Sequence, residues 1–164
     1  MAYLMHFLNS IANNLIPELS KKYDSGVYRK NMCIKMDIFS RIKKMKIMLI
    51  DDDEWIRDSL SLFFEAEGCN LLTFETAEEG MEAVNKQAYD IVISDYKLPG
   101  MDGLEFLRRV KEKQPKIFEV LITAYANCEI VKEAKEIGVK DIIPKPFTSE
   151  DVETSLSRII GESA

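Results

Sequence analysis

The chain has 164 residues, 46% of them hydrophobic, which suits one globular domain with a core and an additional segment. Residues 1–45 carry eight Lys or Arg and three Asp or Glu, a net +5, so the remaining 119 residues carry −11 of the overall −6. An acidic domain of this kind repels nucleic acid, and one histidine with three separated cysteines offers no zinc or Cys–His site. The separated cysteines suit free thiols in a reducing cytosol, and no apolar run reaches the roughly 20 residues that span a bilayer, so we expect a cytoplasmic protein.

The first 44 residues differ from the rest of the chain. Apolar residues recur there at steps of three and four, which predicts one amphipathic helix over about 3–22. The residues after it are polar and basic without a clear period. We therefore interpret 1–44 as a basic extension, either a poorly ordered arm or the product of a misassigned start, and 45–164 as the domain. The apolar positions are Leu4, Leu8, Ile11, Leu15 and Leu19.

From Met45 onward, strand patterns alternate with helix patterns. Five such units with short connections predict a parallel sheet covered by helices on both faces. Thr76 and Glu79 form a capping-box pattern at one predicted helix start. The predicted strands are 46–50, 70–74, 89–94, 117–123 and 140–143, and the predicted helices are 54–67, 76–87, 102–113, 126–137 and 149–160.

Three carboxylates, Asp51, Asp52 and Asp53, directly follow the first buried strand. Open α/β sheets place their ligand sites at this end of the strands. Two carboxylates about 5 Å apart repel by roughly 3 kcal/mol at an effective dielectric near 20, a cost that folding alone does not require. A hard cation would relieve the repulsion, and Mg2+ is the first candidate. Asp53 itself is expected to be a helix N-terminal acid and not a ligand.

Three further polar residues end other predicted strands. Asp95 follows the third strand, Thr123 ends the fourth and Lys145 follows the fifth. Acids, a hydroxyl and a lysine around one point suit phosphoryl transfer, because together with a metal they stabilise charge on phosphoryl oxygens. An aspartate at a strand end can also be the nucleophile and form an aspartyl phosphate.

The chain resembles the receiver domain of two-component response regulators, in particular stand-alone receivers of the chemotaxis type. The matching motifs are the acid pair, the segment 94–103, Thr123-Ala124 and Lys145-Pro146-Phe147. Asp52, Asp95, Thr123 and Lys145 are separated by 43, 28 and 22 residues, which fits that family. The resemblance implies a flavodoxin-like, doubly wound five-stranded parallel sheet with strand order 2-1-3-4-5.

The resemblance also implies a role for each site residue. Asp95 is expected to accept a phosphoryl group from a histidine kinase or histidine phosphotransferase. Asp52 and Asp95 are expected to ligate Mg2+ directly, with Asp51 acting through water and the main-chain carbonyl of Lys97 as a further ligand. The protein is then a phosphorelay signalling protein that catalyses only its own phosphorylation and dephosphorylation.

Two expectations concern the last strand and the loop after it. Thr123 and Lys145 are expected to contact the phosphoryl oxygens, and the Lys145–Pro146 bond is a candidate for the cis form. The family usually carries Tyr or Phe three residues before the lysine, where this chain has Ile142. Isoleucine cannot reproduce the rotation of an aromatic ring, so the sequence leaves the readout open.

Three functions therefore compete. The first is a stand-alone receiver whose output is protein contact, because the residues after Phe147 suffice for one helix and no DNA-binding domain. The second is a Mg-dependent phosphatase with an Asp nucleophile, which normally has an Asp-x-Asp pair where this chain has Asp95-Tyr96-Lys97. The third is a binding module that no longer responds to phosphate, which Ile142 keeps open.

Overall fold

The computed structural model describes residues 38–161, in which a short helical segment at 38–42 precedes five strands that alternate with five helices. The predicted helix over about 3–22 lies outside these residues. In chain order the elements are β1 (Ile47–Ile50), α1 (Glu54–Ala66), β2 (Leu71–Phe74), α2 (Ala77–Lys86), β3 (Ile91–Asp95), α3 (Gly103–Lys113), β4 (Phe118–Thr123), α4 (Cys128–Ile137), β5 (Asp141–Pro144) and α5 (Ser149–Gly161).

The five strands form one parallel sheet in the order β2-β1-β3-β4-β5, which confirms the predicted fold class. The central strands β1 and β3 are buried along their whole length, because their apolar residues point into helix layers on both faces. The strand order reverses between β1 and β3. The crevice at the carboxyl ends of these two strands is where folds of this kind bind ligands.

Two apolar layers fill the space between the sheet and its helices. Residues of α1 and α5 pack on one face, around Phe64 and Leu156. Residues of α2, α3 and α4 pack on the other face, around Phe106 and Leu107. Because each strand alternates its side chains between these layers, the backbone at the carboxyl edge is held rigidly from both sides.

Polar side chains cap the helix starts and so fix where each helix begins. Asp53 accepts a hydrogen bond from the Trp55 amide at 2.9 Å, and Asp102 accepts one from the Glu105 amide at 2.9 Å. Asn127 caps α4 in the same way, which starts that helix two residues later than predicted. Asp53 is therefore a helix cap, as the sequence predicted.

The segment at 38–42 packs as part of the domain. Ile38, Phe39 and Ile42 are buried in the layer of α1 and α5, and the ring of Phe39 meets that of Phe63 edge to face at 5.8 Å. Arg41 donates a hydrogen bond to the carbonyl of Ile160 at 3.2 Å. The boundary at Met45 placed these residues in the extension, whereas packing begins at least as early as Ile38.

Candidate functional site

The acids after β1 have different surroundings. Asp51 is fully buried, and its Oδ1 accepts a hydrogen bond from the Asp53 amide at 3.0 Å. Asp52 is exposed at the edge of the crevice. Since Asp53 is occupied by capping α1, the two acids that remain for chemistry are Asp51 and Asp52.

Asp95 is the last residue of β3 and is 4% exposed. Its Oδ2 accepts a hydrogen bond from the Lys97 amide at 2.7 Å, which fixes the carboxylate against the following loop. Gly103 closes that loop, and a Cβ built on it would lie 1.9 Å from the carbonyl oxygen of Asp95. A glycine is therefore required there, because any side chain would push α3 off the strand that carries Asp95.

The ammonium of Lys145 joins the two buried acids. Its Nζ lies 3.0 Å from Asp51 Oδ2 and 2.5 Å from Asp95 Oδ1. The lysine reaches this position from the loop after β5, where the Lys145–Pro146 bond is cis, as the sequence predicted. Residues from three strand ends thus converge on one point, although Asp51 and Lys145 are 94 positions apart in the chain.

Burial and the neighbouring charges have opposite effects on the pKa values of Asp51 and Lys145. Burial raises the pKa of Asp51 to about 6, although the Lys145 ammonium and the Asp53 amide favour its ionised form. For Lys145, burial acts to lower the pKa, but the neighbouring Asp51 and Asp95 outweigh it, so the pKa lies above its ordinary value. The site therefore favours a cation beside the two carboxylates.

Thr123 ends β4 and is fully buried. Its Oγ1 accepts a hydrogen bond from the Tyr125 amide at 2.9 Å, and its carbonyl accepts one from the Lys145 amide at 2.7 Å. The Lys97 ammonium lies 5.8 Å from the centre of the half-exposed Tyr125 ring. The loops after β3, β4 and β5 therefore contact one another around Asp95.

Arg57 is a site neighbour that sequence reasoning missed. Its guanidinium donates a hydrogen bond to the main-chain carbonyl of Asp51 at 2.7 Å and lies 3.8 Å from Glu75 Oε2. It thereby ties the first turns of α1 to the acidic loop. The only sequence signal is its position one turn into the helix after the acids.

The carboxylates at the crevice are candidate ligands for a divalent cation. Within residues 38–161, no three acidic, histidine or cysteine side chains are grouped closely enough to hold a metal by themselves. Mg2+ usually keeps several waters and takes only one or two carboxylates. Asp51 and Asp95 already converge on one cation, the Lys145 ammonium, and Asp52 lies next to them. This set of oxygen donors fits Mg2+.

Comparison with known proteins agrees with this geometry. The family model of the response regulator receiver domain matches residues 47–157. The chain is a response regulator receiver domain. It is thus a phosphoacceptor protein of two-component signalling, a family in which an aspartate is phosphorylated.

Relatives of this receiver domain differ in length. It is 31% identical over 115 residues to sporulation initiation phosphotransferase F of Bacillus subtilis, an alignment that covers 70% of this chain and 93% of the relative. It is also 31% identical over 112 residues to the DNA-binding transcriptional regulator NtrC of Klebsiella pneumoniae. That alignment covers 68% of this chain but 24% of NtrC.

Solved receiver structures superpose on the fold. The CheY-like receiver domain of Methanospirillum hungatei matches with a TM-score of 0.69 and 28% identity, covering 72% of this chain and 94% of that one. The BeF3-activated DrrB receiver domain matches with a TM-score of 0.64 and 30% identity, covering 71% and 97%. Within the described residues, no helix is long and apolar enough to cross a bilayer.

Proposed function

We propose that Asp95 is the phosphoacceptor of this receiver domain and that a histidine kinase or histidine phosphotransferase supplies the phosphoryl group. The observation that carries the proposal is the Lys145 ammonium, which lies 2.5 Å from Asp95 and 3.0 Å from Asp51. An ammonium held there by two carboxylates is already in place for negative charge that develops on a group attached to Asp95.

The positions of these side chains support the following phosphoryl transfer. A carboxylate oxygen of Asp95 attacks the phosphorus of a phosphohistidine, and an acyl phosphate bond forms. The P–N bond breaks, and its electron pair returns to the imidazole nitrogen of the donor. Lys145 and the Thr123 hydroxyl stabilise the phosphoryl oxygens, while the Lys97 amide holds the Asp95 carboxylate in position.

We further propose that the site takes Mg2+ through Asp52 and Asp95, with Asp51 acting through water and the Lys97 main-chain carbonyl as a further ligand. When bound, Mg2+ neutralises charge on the phosphoryl oxygens. Asp51 holds the crevice in shape through its buried hydrogen bond from the Asp53 amide. Asp52 is exposed and therefore free to turn towards a hydrated cation.

Labelling with acetyl phosphate tests the acceptor. Incubation of the full chain with acetyl phosphate and Mg2+ is expected to add the mass of one phosphoryl group, and Asp95→Asn is expected to abolish the addition. Asp53→Asn is the matched control, because asparagine also caps helices and Asp53 lies outside the proposed site. Labelling that survives in Asp95→Asn contradicts the assignment.

Fluorescence of Trp55 tests the metal ligands. The indole is 63% exposed and lies two residues after the capping Asp53, so bound Mg2+ is expected to change its emission. Asp52→Asn is expected to weaken Mg2+ affinity by tenfold or more, about 1.4 kcal/mol, whereas Asp53→Asn leaves it unchanged. Equal losses in the two variants would show that the acids are assigned one residue out of register.

We propose that the output is contact with a downstream protein in the cytoplasm, without direct DNA binding and without catalysis on a separate substrate. The net charge of −11 outside residues 1–45 supports a basic protein partner over nucleic acid. Gel-shift experiments with random-sequence DNA, before and after phosphorylation, are expected to show no shift. A salt-sensitive shift would assign the output to DNA.

Ile142 supports a second candidate, a binding module that phosphorylation does not switch. It lies on β5 opposite Leu121 and packs on the layer of α2, α3 and α4, with no aromatic ring to turn. Partner affinity measured with and without beryllofluoride and Mg2+ separates the two functions. A response favours the switching receiver, and equal affinities favour the constitutive module.

A further inference from the structure

Glu119 is an acid inside the apolar part of the fold. It is the second residue of β4, is 0% exposed, and pairs in register with Val92 of β3. Because side chains alternate along a strand, Glu119 points to the same face as Leu121, into the layer of α2, α3 and α4. It is near the amino end of β4, whereas the proposed phosphorylation site lies at the carboxyl ends of the strands.

Its carboxylate lacks hydrogen bonds. Within residues 38–161, neither Oε1 nor Oε2 has a hydrogen-bond partner. Lys111 of α3 forms an ion pair with it, with Nζ 3.7 Å from Oε2, while the same ammonium donates its 3.0 Å hydrogen bond to the carbonyl of Ile117. A buried carboxylate that has one ion pair and no hydrogen bond is costly when it is ionised, since burial removes its hydration.

Within residues 38–161, Lys111 is the one charged side chain in an ion pair with the Glu119 carboxylate. Val92 is apolar, and Lys140, which leads into β5, donates only its amide to the Glu119 carbonyl. Glu112 of α3 is exposed to water. Three acids of the neighbouring elements α4 and β5 are paired with other cations: Glu133 with Arg108 at 2.9 Å, Glu136 with Lys132 at 3.9 Å, and Asp141 with Arg158 at 3.1 Å.

We propose that Glu119 and Lys111 form a proton-dependent switch in the packing of β4 against α3. With a proton on Glu119, the residue is a neutral part of the core and Lys111 stays on the Ile117 carbonyl. When the proton leaves to water, the Lys111 ammonium turns to the Glu119 carboxylate and its hydrogen bond to Ile117 is lost. The tight packing of β4 on α3 then weakens, because a charge has replaced a neutral group.

Two features connect this pair to its surroundings. Lys111 forms part of the wall of a groove of about 410 Å³ between α3 and α4, which gives water and the ammonium room to move. Burial raises the pKa of Glu119 to about 7, against the opposing effect of Lys111, so the change falls in the neutral range. Glu119 lies four residues before Thr123 on the same strand.

The pH dependence of unfolding tests the switch. Between about pH 5 and about pH 7, folded Glu119 keeps a proton that the unfolded chain releases, so stability falls as pH rises. The unfolding constant of the full chain is therefore expected to rise by up to about tenfold per pH unit relative to Glu119→Gln. The stabilisation that comes from the Glu119 proton is complete below the pKa of Glu119 in the unfolded chain. It is lost as pH rises through the pKa of Glu119 in the folded chain.

Glu112→Gln is the matched control, because it removes an exposed acid from the same helix and groove. Its unfolding curves are expected to follow those of the unaltered chain at every pH. Because every other titrating group is shared, the difference between the unaltered chain and Glu119→Gln isolates Glu119. Parallel curves for those two proteins would overturn the proposal.

Carbon-13 NMR of the glutamate carboxyl groups gives a second test that requires no core substitution. The Glu119 signal is expected to titrate with a midpoint near neutrality, and Lys111→Met is expected to move that midpoint upward because it removes the ammonium paired with Glu119. A midpoint near the ordinary value of about 4.3, or no change in Lys111→Met, would refute the switch. Neither result depends on whether Asp95 is phosphorylated.

Discussion

Lys97 and Tyr125 join the two loops that flank Asp95, because the Lys97 ammonium lies 5.8 Å from the centre of the Tyr125 ring. The main chain of each residue also holds a site group in place. The Lys97 amide donates to Asp95 and the Tyr125 amide donates to Thr123. The pair therefore links the proposed acceptor to the proposed phosphate contact across the mouth of the crevice.

Removal of the Tyr125 ring is expected to speed hydrolysis of the aspartyl phosphate. A cation–π contact at an exposed site contributes about 0.5–1 kcal/mol, so Tyr125→Ala is expected to open the two loops and raise the hydrolysis rate about two- to fivefold. Tyr125→Phe keeps the ring and is expected to keep the rate. Loss of the label is followed by mass spectrometry after the donor is removed, and equal rates in all three proteins would contradict the role of the pair.

Removal of the Lys145 ammonium is expected to destabilise the domain and to make it depend on Mg2+. Lys145→Ala leaves two almost fully buried carboxylates unpaired, at an expected cost of about 3 kcal/mol. Mg2+ held by Asp52 and Asp95 can offset part of the negative charge that Lys145 no longer balances, so Mg2+ is expected to raise the melting temperature of this variant more than that of the unaltered chain.

Lys132→Ala is the control for that experiment, because its 3.9 Å ion pair with Glu136 is on the surface. Its melting temperature is expected to stay close to that of the unaltered chain, both without Mg2+ and with Mg2+. If Mg2+ stabilises Lys145→Ala no more than it stabilises the control, the crevice does not accept a cation in the way proposed.

A chain shortened to begin at Met45 is expected to accept phosphate but to be less stable. It keeps every proposed site residue and loses Ile38, Phe39 and Ile42, which are buried against α1 and α5. Loss of a buried Phe side chain alone typically costs about 3–5 kcal/mol. A chain that begins at Met36 retains all three and is expected to melt near the full chain; melting curves of the two shortened chains measure the difference.

Much of this fold could be predicted because several independent signals agree. The buried strands are short apolar runs, and a polar cap such as Thr76 marks a helix start between them. Parallel strands end at one edge of the sheet, so polar residues at strand ends, such as Asp95 and Lys145, had to lie near each other. The ion pair between Lys145 and Asp51 follows from that arrangement.

Three features had little or no signal in the sequence, for different physical reasons. Arg57 resembles any arginine on the surface of an amphipathic helix, and only the bend of the loop before α1 brings it to the Asp51 carbonyl. Glu119 interrupts an apolar strand, and a charged side chain in such a strand is expected to face solvent. The face of β4 that carries Glu119 is instead covered by α3 and α4, and the side chain is buried. The apolar residues at 38–42 are hidden among the basic residues Arg41, Lys43 and Lys44.

The aromatic position on β5 leads to the last prediction. Ile142 is partly buried opposite Leu121, while Thr123 hydrogen-bonds the amide of Tyr125 in the next loop. A β-branched side chain on a strand has few rotamers, so a movement of Thr123 has little to displace at Ile142. A signal still requires a two-state element whose populations phosphorylation shifts.

We therefore expect activation to be carried by the loop at 123–127 and the start of α4. Beryllofluoride with Mg2+ is expected to change amide NMR shifts at residues 123–130, and Ile142→Tyr is expected to leave labelling at Asp95 intact while partner affinity changes modestly. Ile142→Val serves as the control, since it keeps the β-branched shape. Shift changes that concentrate around Ile142 and leave 123–130 unaffected would show that β5 carries the signal without an aromatic ring.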